Sequence, residues 1–409
     1  MARGWNRVET WLALVVVGVG GLLAAISGLH VYVTATATRL HPEPSNVPST
    51  LQSEPKPQWM AAADRARAVM RAGISEQNLP GLSVAVGVGG EIVWAEGFGW
   101  ADLDGQAPVD PATQFRIGTA SIALTSAAAG LLLEQGRLNL DDEIQVHVPE
   151  YPKKPWPVTL RQLMAHTAGV KTDGGDEGPL FGQHCDHPVE ALPVFADAAL
   201  RFEPGTQFSP SSYGWILVSA AIEEAANEPF LRFMRDRVFE PLGMEATRPD
   251  PAAERTAGRA TPYFPRYSAD PRYGLHLMRQ LDHSCYAGAS VFLSTPSDLV
   301  RFGMAMNGGT LLRPETVRLL QTSQQLRSGE ETGYGLGWNL ETVTLGGEQV
   351  RAVGHDGAVL GGMAASLLIL PERGIAVAVT SNISYADTAA LASGVADAFV
   401  SRAGAVPTD

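Results

Sequence analysis

The stretch "ASIALTSAAAGLLLEQG", from Ala120 to Gly136, sets the strongest limit on the fold. It carries no charge before Glu134 and is apolar almost throughout. A helix that is hydrophobic all round has no face for water, so it belongs in the interior of a large core. Gly136 supplies the residue type that ends such a helix. The chain has the material for that core: 409 residues, 45% hydrophobic and 18% charged, enough for one large domain or two. Its formal net charge of −13 argues against a nucleic-acid partner, whose phosphates favour a basic face.

The N-terminus stands outside that domain. Arg3 and Arg7 precede Trp11–Val33, 23 residues without a formal charge, long enough as a helix to cross a bilayer core. The length exceeds a usual signal-peptide core, although "TATAT" behind it resembles a cleavage site. The reading is an uncleaved anchor, with a secreted protein as the alternative if cleavage occurs. The two arginines keep the N-terminus in the cytoplasm and put the rest outside, on the periplasmic face. Residues 1–10 are then a cytoplasmic tail and 11–33 the anchor. Residues 34–58, with "RLHPEPSNVPSTLQSEPKPQ", read as a Pro-rich extended tether without a core. Ser53 and Lys56 share S-x-x-K spacing there, but Pro55 and Pro57 flank the lysine and no apolar helix follows, so the match is chance.

The globular part spans 59–404. "WMAAADRARAVMRAGISEQ" has helical spacing. "GLSVAVGVGGEIVWAEGFGWAD" is two β-rich runs around Gly-Gly, a hairpin signal. Further helices are expected over Thr159–His166, Tyr213–Ala226 and Phe230–Phe239, and another over "TPSDLVRFGMAMNGG", which begins with a cap and ends in glycines. Strand-like runs follow at Gly333–Leu340, Gln349–Val353, Met363–Leu370 and Ile375–Thr380, then a last amphipathic helix over Ala386–Val400. No internal repeat is visible. Strands at both ends with helices between predict an α+β fold in which the chain ends meet in one sheet. The sheet part would comprise about 59–112 and 286–404, and a helical insertion about 113–285.

Several phrases, in this order, resemble the serine β-lactamase and penicillin-binding-protein superfamily. They are "FRIGTASIALTSAAAGLLLEQGRLNLDD", "VTLRQLMAHTAGV", "FEPGTQFSPSSYGWILVSAAIEEAANEPF", "VFEPLGM", "STPSDLVRFG", "YGLGW" and "VGHDGAVLGGMAASLLILPERGIAVAVTSN". They cover the chain from about Trp59 to the C-terminus and are most like class C β-lactamases and mitochondrial β-lactamase-like serine proteins. The resemblance implies an antiparallel sheet flanked by helices, and hydrolysis or transfer through a seryl ester on peptides, esters or amides. It implies no cofactor.

Three motifs carry that chemistry, and each is altered. In S-x-x-K, residues i and i+3 share a helix face, so the amine can accept the hydroxyl proton. The serine falls here on Thr119, whose methyl restricts its rotamer, and the lysine on Ile122, which cannot take a proton. Shifting the nucleophile to Ser121 puts Leu124 at the lysine position. The chain's four lysines are Lys56, Lys153, Lys154 and Lys171, none on this helix. In Tyr-x-Asn, the tyrosine falls on Pro210 and the third position on Ser212. Tyr213 follows, at a position that packs inward in the family; a swap of role with Pro210 would be geometrically strained. In Lys-Thr-Gly or His-x-Gly, the match is His355-Asp356-Gly357, with Asp356 departing from the pattern. An anion there is expected to repel carboxylate-bearing substrates.

A positioned general base contributes roughly 10²–10⁴ in rate. Losing the lysine and the tyrosine together, with a hindered nucleophile, points to a degenerate binding or scaffolding module that keeps a cleft for a small molecule or peptide. Ser121, Ser212, Tyr213, Asp356 and Gly357 are its candidate lining residues. The competing reading is a slow hydrolase in which Thr119 attacks with His355 as base. In the bland alternatives Thr119 caps the helix N-terminus, Ile122 is core, and His355-Asp356-Gly357 is a strand end with a Gly-permitted turn. His166, in "MAHTAGV", reads as a hydrogen-bonded loop histidine.

The two cysteines leave three readings open. A Cys185–Cys285 disulfide suits an exported domain. Two free thiols are the second. A tetrahedral zinc site from His184, Cys185, His283 and Cys285 is the third, with poor spacing for a structural zinc motif.

Overall fold

The computed structural model describes residues 7–172, 179–250, 258–279, 281–359 and 361–403. Arg3 lies outside them. The apolar N-terminal stretch forms helix α1 (Arg7–Ala35), followed by strand β1 (Ser49–Leu51) and helix α2 (Met60–Glu76). The hairpin is β2 (Gly81–Val88) and β3 (Glu91–Asp102), turning at Gly89 and Gly90, both at positive φ. Short strands β4 (Ala107–Pro108) and β5 (Phe115–Arg116) lead to α3 (Ser121–Glu134).

The helical insertion carries α4 (Leu160–Met164), opened by a Thr159/Gln162 capping box, α5 (Ser212–Ala226) and α6 (Phe230–Met234). The last continues as a π turn to Phe239. Short strands β6 (Arg248–Pro249), β7 (Tyr263–Pro265), β8 (Leu275–Leu277) and β9 (Phe292–Ser294) return the chain to α7 (Pro296–Gly308) and α8 (Pro314–Leu320). Strands β10 (Asn339–Leu345), β11 (Glu348–Val359), β12 (Met363–Leu370) and β13 (Ile375–Ser381) precede α9 (Thr388–Ala403).

One antiparallel sheet joins both chain ends in the order β1-β3-β2-β13-β12-β11-β10, with β4 paired to β3. Its central strands are covered on both faces. Val84, Val86, Val377 and Val379 meet α2 and α9 on one side; Ala85, Ala376 and Ala378 share the core of the helical insertion on the other. That double burial is why "GLSVAVGV" and "IAVAVTS" read as unbroken apolar runs. The α3 helix is buried along nearly all its length, as its composition demands.

The fold departs from the sequence reading at the linker, at 333–340 and at the end of β11. The stretch read as a coreless tether docks on the domain. Its β1 pairs with β3, Val47 is buried, and the Asn78 side chain holds the Leu40 amide and the Thr38 carbonyl. Without β1 the long β3 would be an open sheet edge on that side. The run Gly333–Leu340 is not a strand before Asn339. Gly337 sits at φ +95° where a Cβ would strike Ser126 and Trp215, so this segment turns against α3 and α5. Finally, β11 continues through His355-Asp356-Gly357, so this motif lies inside a paired strand and not at a strand end.

Candidate active-site cleft

Strand β5 delivers the chain to a tight turn at Gly118, whose φ of +52° suits glycine. A single 3₁₀ turn, Gly118–Ala120, then precedes α3. Thr119 sits on that turn, half-buried. Its Oγ1 donates to the Asp356 carbonyl on β11 at 3.0 Å. It caps neither the turn nor the helix, contrary to the capping expectation. One turn on, Ile122 is only 2% exposed and packs in the core. Ser121 is fully buried, so it does not line the cleft as expected.

Gly357 explains how β11 comes so close. A Cβ there would collide with the Ile117 carbonyl oxygen and lie 2.8 Å from the Ala120 nitrogen. Only glycine lets the strand press against the turn that carries Thr119. His355, on the same strand face, is 7% exposed and meets Tyr334. Its Nδ1 lies 2.8 Å from the Asp356 carbonyl and its Nε2 2.9 Å from the Tyr334 hydroxyl. A carbonyl only accepts, so Nδ1 carries the proton and Nε2 accepts from Tyr334. Burial lowers the His355 pKa to about 4, against the opposing pull of the Asp356 carbonyl. Burial also raises the Tyr334 hydroxyl well above its ordinary value, which keeps it a donor.

Both His355 nitrogens are therefore engaged away from Thr119. The Thr119 hydroxyl and the His355 Nδ1–H converge on one carbonyl oxygen and do not bond each other. The expected Thr119–His355 nucleophile–base pair is not formed in this geometry. Among the described residues, Thr119's hydrogen bond goes to main chain.

The opposite wall starts with α5. Ser211 caps it, accepting from the Gly214 amide at 3.3 Å and donating to the Lys171 carbonyl at 2.7 Å. Pro210, at the tyrosine position, is exposed, and Ser212 is half-buried. Tyr213 is buried, its ring stacked on Phe195 at 4.5 Å and 8°. It belongs to the core, as expected. The Ser211 amide donates to His166 Nδ1 at 3.1 Å, so His166 is a hydrogen-bonded loop residue. It is held at φ +59° beside the Tyr334 ring, 5.1 Å between centroids. Burial, and then nearby His355, lower its pKa to about 3. Both imidazoles are thus neutral at physiological pH.

Asp356 departs from expectation. Successive strand residues face opposite sides, so its carboxyl leaves the cleft and enters a groove beside α9, lined by Ser366, Ala389, Ala392 and Ser393. Burial and Asp387 raise its pKa, while a hydrogen bond with Ser366 lowers it. It does not project at a ligand over Thr119.

The zinc reading is overturned. Cys185 and Cys285 form a disulfide, which removes both thiolates. His184 is exposed and pairs with Asp282 at 2.8 Å, whereas His283 is 1% exposed and packs on Phe181. Among the described residues no group of three metal-ligating side chains occurs.

Two features escaped the sequence reading. Tyr334, the first residue of "YGLGW", orients His355. Arg116, in "FRIG", is buried. It pairs with Asp250 and donates to the carbonyls of Gly361 at 2.9 Å and Leu281 at 3.2 Å. It thereby ties the strand before Thr119 to the turn after β11. Both residues stand in phrases quoted above, but nothing local announces what they bond.

The Beta-lactamase family profile matches residues 64–399. The mitochondrial serine beta-lactamase-like protein LACTB of Bos taurus is 26% identical over 417 residues, covering 79% of this chain and 74% of that protein. Penicillin-binding protein 4* of Bacillus subtilis (strain 168) is 26% identical over 294 residues, covering 67% of this chain and 62% of that protein. Among solved structures, the octameric penicillin-binding protein homologue from Pyrococcus abyssi superposes with a TM-score of 0.70 at 23% identity, over 83% of this chain and 77% of that one.

Proposed function

This chain belongs to the Beta-lactamase family, a serine hydrolase family, and we propose that this member has given up acyl transfer and kept the cleft as a binding or scaffolding site. One observation carries the reading. The Thr119 hydroxyl spends its proton on the Asp356 carbonyl while a buried Ile122 occupies the position from which an amine would remove it. Pro210 has no proton to deliver to a leaving group. The ligand is a small molecule or peptide entering between β11 and the start of α5. The domain is held by α1 on the extracytoplasmic, periplasmic side of a membrane. The Cys185–Cys285 bond supports that placement, because disulfides persist in oxidising compartments.

The test is covalent labelling of the full-length protein with a fluorophosphonate and a fluorescent penicillin, read by intact mass and peptide mapping. No adduct is expected on Thr119. The triple variant Thr119→Ser, Ile122→Lys, Pro210→Tyr is expected to acylate at residue 119, because it restores nucleophile, base and shuttle on an intact fold. An adduct on Thr119 in the unaltered protein would overturn the reading and make the chain a threonine-dependent hydrolase.

A further inference from the structure

Helix α1 is solvent-exposed along its described length except at Val33, near its C-terminal end. That end is seated on the β7–β8 hairpin. The Arg266 guanidinium donates to the Val33 carbonyl and to Thr36 Oγ1, each at 2.8 Å, neutralising carbonyls that the last helical turn leaves without partners. The His30 ring meets Tyr273 edge-on, 5.6 Å between centroids, and Tyr273 in turn meets Tyr267 at 5.9 Å. Tyr273 is therefore level with His30, three residues before the charge-free stretch ends.

We infer that the β7–β8 hairpin is an interfacial foot that rests in the headgroup layer of a phospholipid bilayer. The inference rests on α1 spanning that bilayer. The apolar helix Leu14–Ala35 has 22 residues, ~33 Å at ~1.5 Å per residue, which fits a hydrocarbon core of ~30 Å. Its end, and whatever touches residues 30–36, must then lie at the membrane–water boundary. The hairpin has the chemistry of that boundary. Tyr267 and Tyr273 are the amphipathic rings favoured there, and Leu277 is 51% exposed on β8. Between Tyr263 and Arg279 stand three arginines and one acid, Asp270, which Arg272 already pairs. Arg266 is turned onto α1 and Arg272 onto Asp270, and Glu76 and Asp387 share a pocket with the hairpin tip, so Arg279 is the hairpin cation placed to meet a headgroup phosphate.

The foot also reaches the cleft. The Tyr263 amide donates to the Gly362 carbonyl at 3.2 Å and to the Asn382 carbonyl at 2.9 Å. Gly362 lies in the turn joining β11 to β12, so the strand that bears His355 and Gly357 ends where the foot grips. The cleft is thereby held at a set height over the bilayer.

The experiment uses the full-length protein in vesicles of phosphatidylcholine and phosphatidylglycerol. A nitroxide side chain, carried on a non-natural amino acid so that the disulfide is untouched, replaces Leu277 in one sample and Leu22 in another. Relaxation by oxygen and by a water-soluble nickel chelate gives the depth of each, calibrated with spin-labelled lipids. The label at 22 is expected near the bilayer centre. The label at 277 is expected at headgroup depth, with an oxygen-to-nickel accessibility ratio several-fold above that of a label at Val146 on the helical insertion. A label at 277 as aqueous as the one at Val146, with 22 still in the bilayer, would overturn the foot and leave the anchor standing. A label at 22 in water would overturn both.

Discussion

His355 keeps its place in a motif with both ring nitrogens engaged, one by Tyr334 and one by the Asp356 carbonyl. Burial lowers its pKa to about 4 and that of His166 to about 3, from an ordinary value of 6.5. Between the folded and unfolded values the unfolded chain binds more protons, so stability rises with pH across that window. The contribution is complete above about pH 6.5 and is lost as pH falls towards about 4. For His355 the shift corresponds to ~3 kcal/mol, at ~1.4 kcal/mol per pH unit. The melting temperature should therefore fall steadily from neutral pH to about 4.5. His355→Gln can still accept from Tyr334 but does not titrate. It should flatten that fall, leaving a smaller slope from His166 and from His41 and His283, whose pKa values are also lowered by burial. An unchanged slope in the variant would show that His355 is not the group responsible.

Among the secondary elements, β11 decides the cleft. It pairs with β10 over Glu348–Gly354 and with β12 over Val353–Val359, and it leans on the turn before α3. Because a Cβ at position 357 would run into the Ile117 carbonyl, Gly357→Ala must push the strand off the turn and break the Thr119–Asp356 bond. A loss of about 1–3 kcal/mol is expected, the usual cost of overfilling a packed site. Chemical denaturation with the hydrogen exchange of β11 and the Gly118 turn would check it. Destabilisation without faster exchange at those two segments would mean that the contact is not what holds the strand.

On the scale of the whole molecule, the disulfide closes the helical insertion across a sequence separation of 100 residues. Ser284 and Asp282 add local bonds around it: the Cys185 amide donates to Ser284 Oγ at 3.0 Å, and Asp282 pairs with His184. Replacing both cysteines by serine should cost about 2–4 kcal/mol, mainly by freeing the unfolded chain. Thermal melts of the double variant and of the reduced wild-type protein should shift by the same amount. A reductant effect that persists in the variant would point to some other redox-sensitive element.

The sequence by itself determined the near-complete burial of α3 and, through the phrases that resemble it, the fold family. The burial of α3 follows from side-chain identity alone, which needs no partner to be read, whereas the family follows from the resemblance of whole phrases in their order. The sequence also carried the hairpin at Gly89-Gly90 and the capped start of α7, whose signals lie within a few residues. Tertiary structure alone decided where protons and charges point. The Asp356 side chain left the cleft because the strand alternates and β11 extends further than its apolar core suggested. The Thr119 hydroxyl found an acceptor 237 residues away, His355 was fixed by Tyr334, and the linker became a sheet strand because β3 offered an open edge. Each of these contacts joins distant segments, and hydrogen-bond partners at that range leave no trace in local sequence.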